Sequence, residues 1–106
     1  MIPVDRVGVW VEADNLVTSR TKAIREAILW GYELNDIDRS LLDVVEFGAA
    51  NQIGIDHVLW LGDGALEVLN SEAPSGHYFD WTGPDGLQLV LWPFDWWKNG
   101  KPDEEG

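Results

Sequence analysis

The chain has no cysteine in its 106 residues. That excludes a disulfide scaffold, cysteine–zinc centres and thiol chemistry, and it is compatible with a reducing compartment. Cations are scarce: seven Lys and Arg stand against nineteen Asp and Glu, a formal net charge of −12. Between residues 41 and 97 they are absent, and nine acidic side chains there have no cation within the block. Such a chain repels nucleic acid and anionic membranes and is steered toward basic partners. The same charge also keeps a protein dispersed, so solubility is its second explanation.

Long apolar runs are missing too, so no segment is expected to span a bilayer. The start Met1-Ile2-Pro3-Val4-Asp5 has no basic region before an apolar core, which leads us to expect a cytoplasmic protein without a signal peptide. There is no Gly-rich phosphate loop after a strand, no plausible Ser/His/Asp order and no basic stripe with aromatics. Direct nucleic-acid binding and a bound cofactor are therefore not expected. No internal repeat or low-complexity tract interrupts the chain.

What is present suffices for one domain. Hydrophobic residues make up 45%, and a chain of this length buries a core without metal or disulfide support. We expect a single α+β domain over residues 1–97 and a frayed acidic tail over 98–106 (KNGKPDEEG).

Val4 to Glu12 alternates, with Val7, Val9 and Val11 on one side, and reads as a half-buried strand. Thr18 or Ser19 is a candidate N-cap for a helix reaching about Leu34, whose apolar side holds Ile24, Ala27, Ile28, Gly31 and Leu34. Arg20, Lys22 and Arg25 lie near its N-terminus, where the macrodipole disfavours cations, so an acidic group from elsewhere or a partner should compensate them. Asn35 to Asp38 breaks the helix, and either aspartate is a candidate cap for the next. A second helix is expected over Arg39–Ile53 with Gly54 as its left-handed cap and Gly48 inside it, marking close packing.

The second half reads as two β-hairpins. His57–Leu61 and Ala65–Leu69 flank Gly62-Asp63-Gly64, and His77–Trp81 and Leu87–Trp92 flank Thr82 to Gly86. Both faces of Leu87–Trp92 are largely apolar, which makes that strand central in the sheet, and Pro93 should end it. The expected order is β-α-α-β-β-β-β, a mixed and mostly antiparallel sheet with two helices on one face.

Candidate chemistry is thin. His57 and His77 each begin an expected strand with Asp56 and Asp80 nearby, a possible divalent-metal set without a ligand signature. Asp80, Asp85 and Asp95 near tryptophans suggest paired carboxylates of a glycosidase type, although so small a domain has little room for a cleft. The stretch Glu12-Ala13-Asp14-Asn15-Leu16 resembles the Asp-x-x-Asn signature after the first strand of NYN/PIN-type nucleases, where acids bind metal. Glutamate stands in the leading position and the β/α repeats of that family are absent, so its activity is not carried over.

Seven tryptophans remain to be explained. Core packing takes some of them, and Trp60 or Trp92 is expected inside. Trp96 and Trp97 cannot both point inward from an extended segment, so one is expected as an exposed anchor or a homodimer contact.

These features point to a small acidic protein that blocks a basic surface of a protein or nucleoprotein complex, with no catalytic residues. Phage-type inhibitors of host defence nucleases, such as anti-CRISPR proteins, and immunity proteins of toxins are similar in size and charge. The partner-binding set expected is Asp43, Glu46, Asp56, Asp63, Glu67, Glu72, Asp80, Trp96 and Trp97. The alternative is a non-catalytic assembly module that dimerises through the C-terminal tryptophans.

Overall fold

The computed structural model describes residues 1–94. Trp96, Trp97, Asp95 and the tail expected over 98–106 lie outside the described residues. A short 3-10 turn at Val4–Arg6 leads into strand β1 (Gly8–Val11), and three helices follow: α1 (Leu16–Leu29), α2 (Asp36–Phe47) and α3 (Gln52–Glu72). Strands β2 (His77–Thr82) and β3 (Gln88–Pro93) complete an antiparallel sheet of order β1-β3-β2. The α+β class holds, but the order over the described residues is β-α-α-α-β-β, with three α-helices and three strands among them.

Each helix begins in the same way. Asn15, Asn35 and Asn51 accept hydrogen bonds from the backbone N–H of Thr18, Asp38 and Gly54 at 2.8, 2.7 and 2.9 Å. An asparagine cap satisfies one orphan donor of the first turn and contributes about 1 kcal/mol. Thr18 and the aspartates are therefore first-turn residues, not caps. α2 ends six residues earlier than the sequence suggests, because Gly48 is its left-handed cap (φ 85°) and not an interior residue. Gly54 lies inside α3, pressed against Leu41.

The largest departure is α3. His57–Leu61 and Ala65–Leu69, expected as paired strands, are consecutive turns of one helix. Its buried residues are Gly54, Val58, Leu61, Gly62, Ala65 and Leu69. Gly54, Val58, Leu61, Ala65 and Leu69 follow in steps of four and three, with Gly62 beside them, and form one face of a 3.6-residue repeat once glycine is counted as a buried position. Gly62 and Gly64 serve close approach, not a turn. A Cβ on Gly62 would sit 3.1 Å from Arg20 Cδ, and one on Gly64 would sit 2.5 Å from the Tyr32 hydroxyl.

The helices cover one face of the sheet. Ile24, Ala27, Leu42, Val58, Leu61 and Leu69 meet Val11, Phe79, Leu89 and Leu91 in a single buried core. A bulge in β1 interrupts the expected alternation: Val9 pairs with Val90 but Val11 with Leu89. An extra residue on one strand turns Val9 and Val11 to opposite sides, so Val9 is exposed while Val11 is buried. β3 is central as expected, and its other face carries Val90 and Trp92, both buried. Its strand includes Pro93.

The outward edge of β2 is closed from within. The N–H groups of His77, Phe79 and Trp81 donate to Pro74 O, Asn70 Oδ1 and Asp80 Oδ1 at 3.1, 2.6 and 2.8 Å. Asn70 Nδ2 also donates to Phe79 O at 3.3 Å. An edge whose donors are already used is a poor template for another strand. Among the described residues, no helix is long and apolar enough to cross a membrane.

Candidate functional site

The carboxylates expected to face a partner divide into two groups. Asp43 and Glu46 project from α2 onto Arg25 of α1, whose Nη2 donates to Asp43 Oδ1 at 2.6 Å and whose Nε donates to Glu46 Oε1 at 3.2 Å. These hydrogen bonds raise the Arg25 guanidinium above its ordinary pKa. The acidic compensation expected for the α1 cations is thus found within the fold for Arg25. Lys22 donates to Glu12 O at 3.0 Å. Arg20 lies over the Trp81 ring at 3.6 Å and donates to Gly86 O at 2.9 Å. Glu72 lies 3.1 Å from the Met1 amine, and Asp80 caps the Trp81 N–H. Those four acids are engaged by the fold.

Asp56, Asp63 and Glu67 are different. All three are exposed on α3, and among the described residues no basic nitrogen lies within ion-pair distance of them. Asp56 accepts from Gln52 Nε2 at 2.8 Å. Asp63 acts on Arg20 at longer range, opposing the lowering of its pKa that burial causes. The spacing of seven and then four residues puts the three on one helix face, a row about 16 Å long. Trp60 belongs to the same face and is 65% exposed. Trp60 or Trp92 was expected in the core, and it is Trp92 that is buried.

The row also bears on the interior. Burial raises the Tyr32 phenol above its ordinary pKa, and the charges of Asp38 and Glu67 raise it further. Tyr32 donates to Leu61 O at 2.9 Å, which ties the loop after α1 to the middle of α3.

The other constellations do not assemble. His57 sits in the second turn of α3, its Nε2 3.0 Å from Asp38 Oδ1, whereas His77 opens β2 with Nδ1 on Ser75 O at 2.8 Å. His57 lies fifteen residues before Glu72, about 22 Å along the α3 axis, and His77 comes after that helix has ended, so the two imidazoles do not share one ion. Among the described residues, no group of three or more His, Asp or Glu has a metal-holding arrangement. Asp85 occupies the tight turn before β3 with φ 59°, a turn role that the Pro-Asp-Gly signal indicates. Glu12, Asp14 and Asn15 do share an open polar cleft with Thr18, Lys22 and Gln88. There Asn15 is the helix cap, and the antiparallel sheet lacks the parallel β/α repeats of a NYN/PIN-type nuclease.

Sequence reasoning named Asp56, Asp63 and Glu67 but placed Asp56 before a strand, Asp63 in a turn and Glu67 on a strand. It missed Trp60 as their neighbour. The helical spacing 56-60-63-67 was the available signal. Comparison with known proteins finds no matching family model, no matching curated protein and no matching solved structure.

Proposed function

We propose that this chain is a non-catalytic acidic binding protein that occupies a basic, nucleic-acid-binding surface of a target protein or nucleoprotein complex and thereby inhibits it. The observation that carries this reading is the row Asp56, Asp63 and Glu67 on α3, exposed and without ion pairs among the described residues. Charges held on a helix are presented at fixed spacing, so complementarity with a basic groove costs little ordering. The row stands beside an exposed indole, the side chain most enriched in binding hot spots. Anti-defence inhibitors of the anti-CRISPR type are the class of protein this reading fits. A target of that kind is part of the proposal.

The test is capture of partners from lysate by the tagged protein, eluted stepwise with salt. A nucleic-acid-processing complex that is released by salt and is lost with Asp56→Lys, Asp63→Lys and Glu67→Lys together supports the reading. Screening should weaken the complex steeply. Binding that resists both salt and charge reversal contradicts it.

The second reading is an assembly module, and it too has an observation in its favour. Five large apolar side chains of α2 and α3 are exposed. Self-association would bring two acidic surfaces together, and like charges across an interface oppose it.

A further inference from the structure

We infer that the seam between α2 and α3 docks a basic amphipathic helix of the partner, with Trp60 as the anchor. The inference rests on the acidic-binding reading above and names the form of the partner.

Ile37, Val44 and Phe47 of α2 and Ile53 and Trp60 of α3 are exposed by 78, 41, 88, 79 and 65%. They are not scattered. Asp38 bonds His57, and Leu41 packs on Gly54, so the helices run antiparallel and meet along the side that bears Ile37, Val44, Ile53 and Trp60. Ile37 and Val44 lie one turn on either side of Leu41, while Ile53 and Trp60 lie one turn on either side of His57. Both pairs therefore flank the seam. Antiparallel packing sets Ile37 at the Trp60 end and Val44 and Phe47 at the Ile53 end. The opposite flank of α2 is committed to Arg25.

The occupant follows from spacing and charge. Each pair is seven residues apart, about 10.5 Å along its axis, the repeat that a partner helix presents at positions i and i+7. Asp36 at the start of α2 and Asp56, Asp63 and Glu67 along α3 rim the seam, all exposed and without ion pairs among the described residues. An apolar strip with an acidic rim complements a helix with an apolar face between lysines or arginines. It opposes a second copy of this acidic chain and an anionic lipid surface. The Trp60 indole lies 5.5 Å from the His57 ring, itself fixed by Asp38, so the anchor is supported before binding. A lysine or arginine on the partner can stack on the free face of that indole while pairing with the rim.

Titration of the isotope-labelled protein with a synthetic Leu/Lys amphipathic helix of about 18 residues, five turns long, tests the inference at low salt. A permuted peptide of identical composition without an apolar face is the control. Amide shifts confined to α2 and α3, affinity at least roughly tenfold above the control, and a roughly tenfold loss in both Trp60→Ser and Phe47→Ser are expected for hot-spot truncations. Equal binding of both peptides, unaffected by Trp60→Ser but abolished by reversal of the α3 carboxylates, overturns the docking seam and leaves the acidic reading standing. No binding of either peptide contradicts both. Sedimentation showing a wild-type dimer that Trp60→Ser dissociates overturns the inference in favour of self-association.

Discussion

Tyr32 and Gly64 are in contact through a missing side chain: a Cβ on Gly64 would lie 2.5 Å from the hydroxyl that donates to Leu61 O. The contact predicts a strong interaction between two substitutions. Alanine in place of an interior helical glycine ordinarily gains about 1 kcal/mol. In the wild type, Gly64→Ala must displace the phenol and break its hydrogen bond, which offsets or reverses that gain. In a Tyr32→Phe background the 2.5 Å contact is gone and the nearest ring atom, Cζ, lies at 3.2 Å, so much of the gain should return. Urea unfolding of the four proteins should give a coupling of about 1 kcal/mol or more. Additive effects would contradict the packing described.

Gly48 gives a test of where α2 ends. With φ at 85° and open space around its Cα, it caps the helix through backbone conformation alone. Gly48→Ala should destabilise by about 1 kcal/mol, since a Cβ disfavours the left-handed region. Were Gly48 interior, as its position in the sequence pattern suggests, the same change would stabilise by a similar amount.

Asn70 holds both backbone groups of Phe79 on the β2 edge. Asn70→Ala should cost about 1–3 kcal/mol, the usual penalty for leaving a partly buried donor unmet. Asn70→Asp keeps the acceptor for Phe79 N–H and should lose less. Amide exchange at Phe79 reports the change directly.

Alkaline pH separates the two states of Tyr32. Its phenol is raised in the folded protein, by burial first and by Asp38 and Glu67 after that, whereas the unfolded chain ionises at the ordinary value of 10.0. The folded state therefore holds the proton more tightly. This contribution is fully present below pH 10 and is lost as pH rises toward the folded value. Tyr32→Phe should lessen the fall in urea midpoint between pH 9 and pH 11, leaving the fall due to Tyr78, which burial and Asp80 raise in the same way. An unchanged fall would contradict the assignment.

The β2–β3 hairpin and the central place of β3 were legible because their signals are local. Pro84-Asp85-Gly86 is a turn, and two apolar faces mean burial on both sides. The compensation of Arg25 was anticipated, though not its partners Asp43 and Glu46. What failed was glycine. Gly62-Asp63-Gly64 has the composition of a hairpin turn, yet these glycines make room for Arg20 and Tyr32, and only the tertiary contact distinguishes the two uses. Misreading them split one helix into two strands and hid the stripe Asp56-Trp60-Asp63-Glu67. Gly48 and Gly54 exchanged roles for the same reason. Asn15, Asn35 and Asn51 were stronger boundary signals than the threonine and aspartates chosen.

The central claim is that position, not total charge, makes α3 the binding face. The direct measurement compares partner capture by two triple lysine variants with the same change in charge. One alters Asp56, Asp63 and Glu67. The other alters Asp5, Glu12 and Asp14, which are equally exposed but lie around β1. Loss of the salt-eluting partner by roughly tenfold or more in the first, with little change in the second, is the predicted result, each lost charge pair contributing on the order of 0.5–1 kcal/mol. Equal loss in both variants, or none in the first, would contradict it.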